Sequence, residues 1–307
     1  IQAWDGRGGR SHIAMDPSAP QRCSDEFLVG VDQLSKEHGV PLTTHVLETK
    51  VQAVTGSEFY GKSIVAHLAD LGVLSPRMSV VHGVWLSDHD LELIADTSAS
   101  VVHNPLSNLR LLSGIAPVPE LVRAGINVAL GCDNNNSSDA QNVFNAMRMA
   151  ALLHQVSGPQ FGDRKPARDA LRMATAGGAR SCLQHENVGS LEVGKKADIV
   201  LLDLNTYAFS PLNDPVKQLV YSETGSSVDT VFVNGELVVE GKALTTVDEN
   251  ALLEETRRIA QTLPPEHEGA HAAADVLKPY LTSMYGRCVT QDIGINRYSR
   301  PVDPTWD

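Results

Sequence analysis

Aromatic residues are scarce, at 5% of 307 positions, and the four cysteines Cys23, Cys132, Cys182 and Cys288 stand far apart with no CxxC among them. That spacing excludes a disulfide framework and a cysteine-held zinc knuckle, and it fits a reducing, cytoplasmic setting. Positive charge is also short: 25 Lys and Arg face 37 Asp and Glu, for a net charge of -12. A nucleic-acid surface needs cations to meet phosphates, so that class of partner is excluded. No run reaches the ~18 apolar residues of a transmembrane helix, so no membrane partner is expected either. Internal repeats and low-complexity tracts are missing. The first residues, Ile1 to Asp5, have neither the basic start nor the apolar centre of a secretory leader. The chain opens on Ile1 rather than Met, so either a start has been processed away or residues precede it.

What remains is an ordinary globular composition, 42% hydrophobic and 20% charged, long enough for one large domain with an appendage or for two domains. From residue 11 to about residue 156, short β-branched runs alternate with amphipathic ones. The runs predict strands at 11–16, 40–46, 78–84, 99–103 and 126–132. Between them fall helices with legible ends. Ser24 stands at an N-cap position and Gly39 at a stop; Ser87 precedes an acidic first turn. HNPLSN reads as a bracing turn, and 139–156 as one long helix. Strict alternation implies a parallel sheet covered by helices, with reactive side chains at the carboxyl ends of its strands. After residue 187 the pattern changes to short strands with Gly turns, among them VFVNGELVV, whose Asn234-Gly235 pair is a hairpin signal. Residues 246–307 then read as a helical tail. The divisions are therefore 1–187, 188–245 and 246–307.

Several strand ends carry residues able to do chemistry. PLTTHVLETK ends in His45 with Glu48 three residues on; a neutral imidazole can bind a metal ion and a carboxylate beside it can move a proton. The structural alternatives are a satisfied core histidine and a Glu48–Lys50 surface pair. VVHGVWL offers His82. NVALGCDNNNSSD offers Asp133, a carboxylate costly to bury unless paired or metal-bound, with a helix cap or Asx turn as its plainer role. Asn134 follows it at the rim. VVHNPLSNL supplies His103, Asn104, Ser107 and Asn108, for bracing the loop first and touching substrate second. HEGAH at 267–271 matches the HExxH zinc-protease pattern, but Pro264, Pro265 and Gly269 argue against the buried helix that chemistry needs.

Taken in order, THVLETK, VVHG, VVHNPLSNLRLLSGIAPVPELVRAGINVALGCD and GSLEVGKKADIVLLDL resemble the amidohydrolase superfamily, over roughly residues 11–245. The likeness is to its aminohydrolase and chlorohydrolase branch. It implies a (β/α)8 TIM-type barrel, with the five strands here matching strands four to eight, and a small β-sandwich beside it. It implies one divalent metal, zinc or alternatively iron, with His45 and Asp133 as ligands. Glu48 matches the proton shuttle, His82 the residue that polarises substrate or water, and Asp133 the base. His82, His103, Asn108 and Asn134 are then the candidates for substrate contact. The HxH that supplies two metal ligands in the family occurs nowhere in the 307 residues, and Ser18 stands where many such deaminases carry His. The chain is accordingly read as the carboxyl-terminal part of a longer enzyme. The reaction implied is removal of an amino group or halide from a nitrogen heterocycle. The alternatives are hydrolysis of a cyclic amide and a truncated, non-catalytic barrel. The PCxxC of cysteine-ligated deaminases is missing. The resemblance also implies a small heterocyclic partner and a homo-oligomer.

Overall fold

A computed structural model describes residues 1–157, 166–300 and 302. Four strands, β1 (Leu42–Val46), β2 (Met78–His82), β3 (Ser100–His103) and β4 (Asn127–Leu130), pair in parallel in the order β1-β2-β3-β4. Their inward residues close the core: Val80, Val101 and Val128 are fully buried against Ile64, Ile94 and Leu121 from the covering helices. Each such side chain contributes roughly 1.5–3 kcal/mol by leaving water. This is the strand–helix alternation that the sequence predicts.

The covering helices start and stop where local chemistry dictates. Helix α1 (Asp25–His38) is capped by Ser24, whose hydroxyl accepts from the Phe27 N–H at 3.2 Å, and it ends on Gly39 at φ 65°. Two helices, α2 (Lys50–Tyr60) and α3 (Ile64–Asp70), separate β1 from β2. Helix α2 is not predicted from the sequence: VQAVTGSE is rich in β-branched residues and Gly, which weaken helix propensity. Packing supplies the missing stability. Gly56 of α2 lies so close to Ile64 that a Cβ there would stand 2.6 Å from its Cγ1. Helix α4 (Asp88–Asp96) carries a full capping box between Ser87 and Asp90. HNPLSN is not only a turn: it enters helix α5 (Pro105–Arg110), with Pro105 at the first position, where its missing N–H costs nothing. Helix α6 (Val118–Arg123) then leads to β4.

Residues 11–16 form no strand, a correction to the five-strand expectation. Only Met15 bridges Leu42. Pro17 has no N–H to extend a ladder, and the chain follows β1 irregularly instead: Thr43 N–H donates to Met15 O, Thr44 Oγ1 to Pro17 O and His45 N–H to Ser18 O. The long helix expected over 139–156 is also shorter. A short α7 (Asn135–Ser138) ends on Asp139 in the left-handed region, and α8 runs Val143–Leu153. Beyond it, α9 (Pro166–Arg172) and α10 (Gly178–Ser181) are joined by a π turn at Met173–Gly177. That turn seats Gly177 against β4, where a Cβ would stand 2.3 Å from the Val128 carbonyl oxygen. Gly177→Ala should therefore destabilise the protein by about 1–3 kcal/mol, although Ala is normally the better helix former. Urea unfolding would show it, and a more stable variant would refute the contact.

The second sheet is antiparallel, in the order β5 (Ile199–Leu202), β6 (Val228–Val233), β7 (Glu236–Glu240), β8 (Ala243–Leu244). The expected Asn-Gly hairpin joins β6 to β7, with Asn234 at φ 50° and Gly235 at φ 79°, the signs of a type I′ turn. Helix α11 (Pro215–Tyr221), capped by Asp214, precedes β6 and has no counterpart in the sequence reading. Among the described residues this unit is one four-stranded sheet, not two stacked ones, and on β5 Val200 and Leu201 remain exposed.

The tail forms α12 (Glu249–Ala260) and α13 (Leu263–Thr290), which carries HEGAH; the side chains of His267 and Glu268 lie outside the described residues, and His271 is exposed. The chain then returns to the loops of the parallel sheet. Lys50 Nζ donates to Val289 O at 2.7 Å, Arg287 pairs with Glu58, Arg297 Nη2 donates to Leu86 O, and Ile115 N–H donates to Arg297 O. Tyr298 packs edge-on against Trp85 at 5.0 Å. The final stretch RYSRPVDPTWD is described only as far as Arg300, and at Val302. No described helix is long and apolar enough to cross a membrane.

Candidate active site

Parallel pairing brings the reactive residues to one end of the sheet. Val46 lies beside His82, and His103 beside Leu130, so β1, β2 and β3 each finish near a histidine while Asp133 follows β4. His82 and Asp133 both adopt left-handed backbone, at φ 71° and 59°. Strain of this kind, costing roughly 1–3 kcal/mol, concentrates at functional sites.

Each ring has a defined donor. His45 Nδ1 lies 2.5 Å from the Ser18 carbonyl oxygen, which can only accept. Nδ1 therefore carries a proton. His82 is almost wholly buried, with Nδ1 2.8 Å from Asn108 Oδ1. Its Nε2 lies 4.0 Å from Glu48 Oε2 and 3.9 Å from Asp133 Oδ2. The His45 and His82 rings are 5.4 Å apart. Burial lowers the His82 pKa most. Glu48, the Asn108 bond and Asp133 oppose that shift, and His45 adds to it.

The carboxylates are held in turn. Asp133 Oδ2 accepts from Ser107 Oγ at 2.5 Å, and Oδ1 accepts from the Asn134 N–H at 2.7 Å. Glu48 Oε1 accepts a long 3.4 Å bond from Ser113 Oγ, and Trp85 Nε1 donates to the Ser113 carbonyl at 2.8 Å. Gln52 braces the turn between His45 and Glu48: its Oε1 accepts from the Glu48 N–H at 2.7 Å, while Nε2 donates to His45 O at 3.1 Å and to Gln21 Oε1 at 3.0 Å. A cavity of about 320 Å³ opens beside these groups, lined by Ser18, Arg22, His45, Glu48, Gln52 and Thr55 among others.

The structure thus brings Glu48, His82 and Asp133 together, with His45 beside them. It places the other candidates elsewhere. Asn108 is buried behind His82. Asn134 is exposed, and its Oδ1 accepts from the Ser137 N–H as the cap of α7. His103 is fully buried, 5.3 Å from the His154 ring, with neither ring nitrogen hydrogen-bonded. Burial first, then the His154 and His82 charges, hold its pKa well below the usual histidine value. Lys50 is buried on Val289, so it is not the surface partner of Glu48. Ser113 and Gln52 join the site without a place among the residues that the sequence pattern points to. Thr49-x-x-Gln52, a capping-box pattern, was the available signal for Gln52. Nothing local marks Ser113.

A parallel α/β sheet with carboxylates and imidazoles at the carboxyl ends of its strands is how α/β enzymes present an active site. The chain belongs to the amidohydrolase family, whose description matches residues 2–238. It is 40% identical over 262 residues to the 5-methylthioadenosine/S-adenosylhomocysteine deaminase of Caldanaerobacter subterraneus subsp. tengcongensis, covering 85% of this chain and 60% of that protein. It is 38% identical over 264 residues to the 5'-deoxyadenosine deaminase of Methanosarcina mazei, covering 86% and 60%. Among solved structures, an adenosine deaminase from Xanthomonas campestris with bound zinc superposes with TM-score 0.78 at 32% identity, over 82% of this chain and 57% of that one. Atrazine chlorohydrolase from Arthrobacter aurescens TC1, complexed with zinc, gives TM-score 0.75 at 28% identity, over 80% and 54%. The chain therefore spans about 60% of the length of the curated relatives it matches. A TIM-barrel-like α/β fold follows from the family. The described residues supply four parallel strands of it.

Zinc in such a site takes three or more protein ligands. Among the described residues no group of three His, Cys, Asp or Glu side chains is placed to hold a metal. The residues present do not by themselves fit the ion, and the chemistry below rests on the side chains alone.

Proposed function

We propose that this chain supplies the proton-transfer half of a deaminase acting on 6-aminopurine nucleosides. The observation that carries the proposal is the approach of two carboxylates, Glu48 and Asp133, to one imidazole nitrogen, at 4.0 and 3.9 Å. With Nδ1 donating to Asn108, neutral His82 turns a lone pair toward them. Acceptors that converge on one point suit a water molecule, which has two protons to give. Water adds to the ring carbon that bears the amino group. Glu48 takes one proton from the water and passes it to the ring nitrogen beside that carbon; the proton left on the added hydroxyl then goes, again by way of Glu48, to the amino group, which leaves as ammonia while the ring carbon becomes a carbonyl. Asp133, held by Ser107 and the Asn134 N–H, orients the water. Buried His82, neutral with its lone pair turned inward, accepts a hydrogen bond from the water and helps to hold it over the ring. The named relatives support the aminopurine over the chlorinated ring or the cyclic amide, and the zinc-bound structures are consistent with a divalent metal in the family.

The purified protein, assayed against 5'-deoxyadenosine, 5'-methylthioadenosine and adenosine, should release one ammonia per nucleoside consumed, with loss of the aminopurine absorbance. Opening of a cyclic amide with no ammonia from any aminopurine would overturn this reading in favour of amide hydrolysis.

A further inference from the structure

Arg297 and Tyr298, near the end of the chain, reach the proton-transfer site through Ser113. That residue is fully buried. Its N–H donates to Asn108 O at 2.8 Å, and its carbonyl accepts from Trp85 Nε1 at 2.8 Å. Its hydroxyl gives the Glu48 carboxylate the one hydrogen bond it receives among the described residues. At 3.4 Å that bond is near the limit of a hydrogen bond, so a small shift of Ser113 makes or breaks it. The tail holds both partners that fix Ser113 in place. Ile115 N–H donates to Arg297 O at 2.8 Å, and Gly114, at φ 111°, passes so close that a Cβ would stand 3.0 Å from the same oxygen. Arg297 Nη2 donates to Leu86 O, next to Trp85, and Tyr298 meets the Trp85 ring edge-on at 5.0 Å. A second route runs through Lys50, two residues beyond Glu48. Its ammonium donates to Val289 O at 2.7 Å and lies 5.6 Å from the centre of the Trp85 ring. Burying a guanidinium costs free energy, and Arg297 Nε has no partner; apolar cover for Trp85 alone does not call for it.

We propose that Arg297 and Tyr298 are positioning residues for proton transfer: through Trp85 and Ser113 they set the direction in which the Glu48 carboxylate points. The inference rests on the deaminase reading for the reaction that Glu48 serves, and adds that residues far along the chain govern its rate.

Two readouts on the full chain test this. The first is turnover of 5'-methylthioadenosine, resolved into kcat and KM. Tyr298→Leu, which keeps apolar cover but not the aromatic edge, and Ser113→Ala should each lower kcat about tenfold, the low end for one hydrogen bond to a charged group, with KM little changed. Tyr298→Phe, which keeps the ring, should restore kcat. The double variant Tyr298→Leu/Ser113→Ala should be no slower than the slower single variant, because both act through one bond. The second readout is the carbon-13 carboxyl resonance of Glu48 at fixed pH, assigned by its loss in Glu48→Gln. It should move in the same sense in Ser113→Ala and Tyr298→Leu and stay in place in Tyr298→Phe. Arg297→Gln, which frees the Leu86 carbonyl, is the second variant should Tyr298→Leu not fold, and should act in the same direction. Thermal unfolding establishes which variants are folded. An unmoved Glu48 resonance in the folded variant overturns the proposal, as does a double variant slowed by the product of the two single effects. If the wild-type protein consumes no aminopurine nucleoside while the resonance moves as stated, the positioning stands and the deaminase reading falls.

Discussion

Replacing Glu48 by Gln should lower kcat by about a thousandfold or more, within or above the 10²–10⁴ that positioned acid–base groups contribute. The amide keeps the shape of the side chain, so the packing at the carboxyl end of β1 survives. The backbone N–H of residue 48 still donates to Gln52, because that bond does not involve the carboxylate. What is lost is an oxygen able to take a proton from water and give it to the leaving nitrogen. The 4.0 Å spacing to His82 Nε2 is also where the charge acts on the imidazole, and Glu48 is the largest influence opposing the downward shift of the His82 pKa. The amide should therefore leave His82 harder still to protonate. Rates measured by ammonia release, with thermal unfolding as the control for folding, decide the matter. Turnover within tenfold of wild type would remove Glu48 from the proton-transfer role.

Acid should weaken the fold well above the range where carboxylates titrate. His103 is buried with no hydrogen bond to either nitrogen, and its pKa lies well below the ordinary value near 6.5; His82 is shifted in the same direction by burial. The unfolded chain accepts protons on these rings near pH 6.5, whereas the folded chain resists them. The unfolded state thus binds more protons below that pH. Stability from these groups is present above about pH 6.5 and is lost as pH falls toward the folded pKa values, at up to ~1.4 kcal/mol per pH unit for each ring. Urea midpoints at pH 7.5, 6.5 and 5.5 should decline accordingly. His103→Leu, which removes one titrating ring of similar size, should flatten that decline. A stability constant or rising from pH 7.5 to 5.5 would contradict the buried neutral state.

The elements legible in the sequence are those set by local patterns. β1 to β4 fall within the β-branched runs, Ser24, Ser87 and Gly39 cap where their chemistry says, and Asn234-Gly235 turns the hairpin. His45, Glu48, His82 and Asp133 are legible because each stands at the end of such a run. What sequence conceals is set by partners far along the chain. Helix α2 contains Gly56 because Ile64 needs the space. Residues 11–16 read as a strand, but Pro17 breaks the ladder. Asn108 and Asn134 are polar loop residues of the same type. One meets His82, 26 positions away, and the other caps its own short helix. Composition does not separate those roles; the tertiary contacts do.

The return of the tail to the loops of the parallel sheet gives the molecule an order of construction. On the ribosome, the loops bearing Glu48, Trp85 and Ile115 emerge long before Val289, Arg297 and Tyr298, which bond and pack against them. Amino-terminal structure generally forms first during synthesis. The nascent sheet can thus assemble while Lys50 still lacks its carbonyl partner and Trp85 its covering ring. The carboxyl end of the sheet is therefore braced only once translation has passed Tyr298, long after its own strands have emerged.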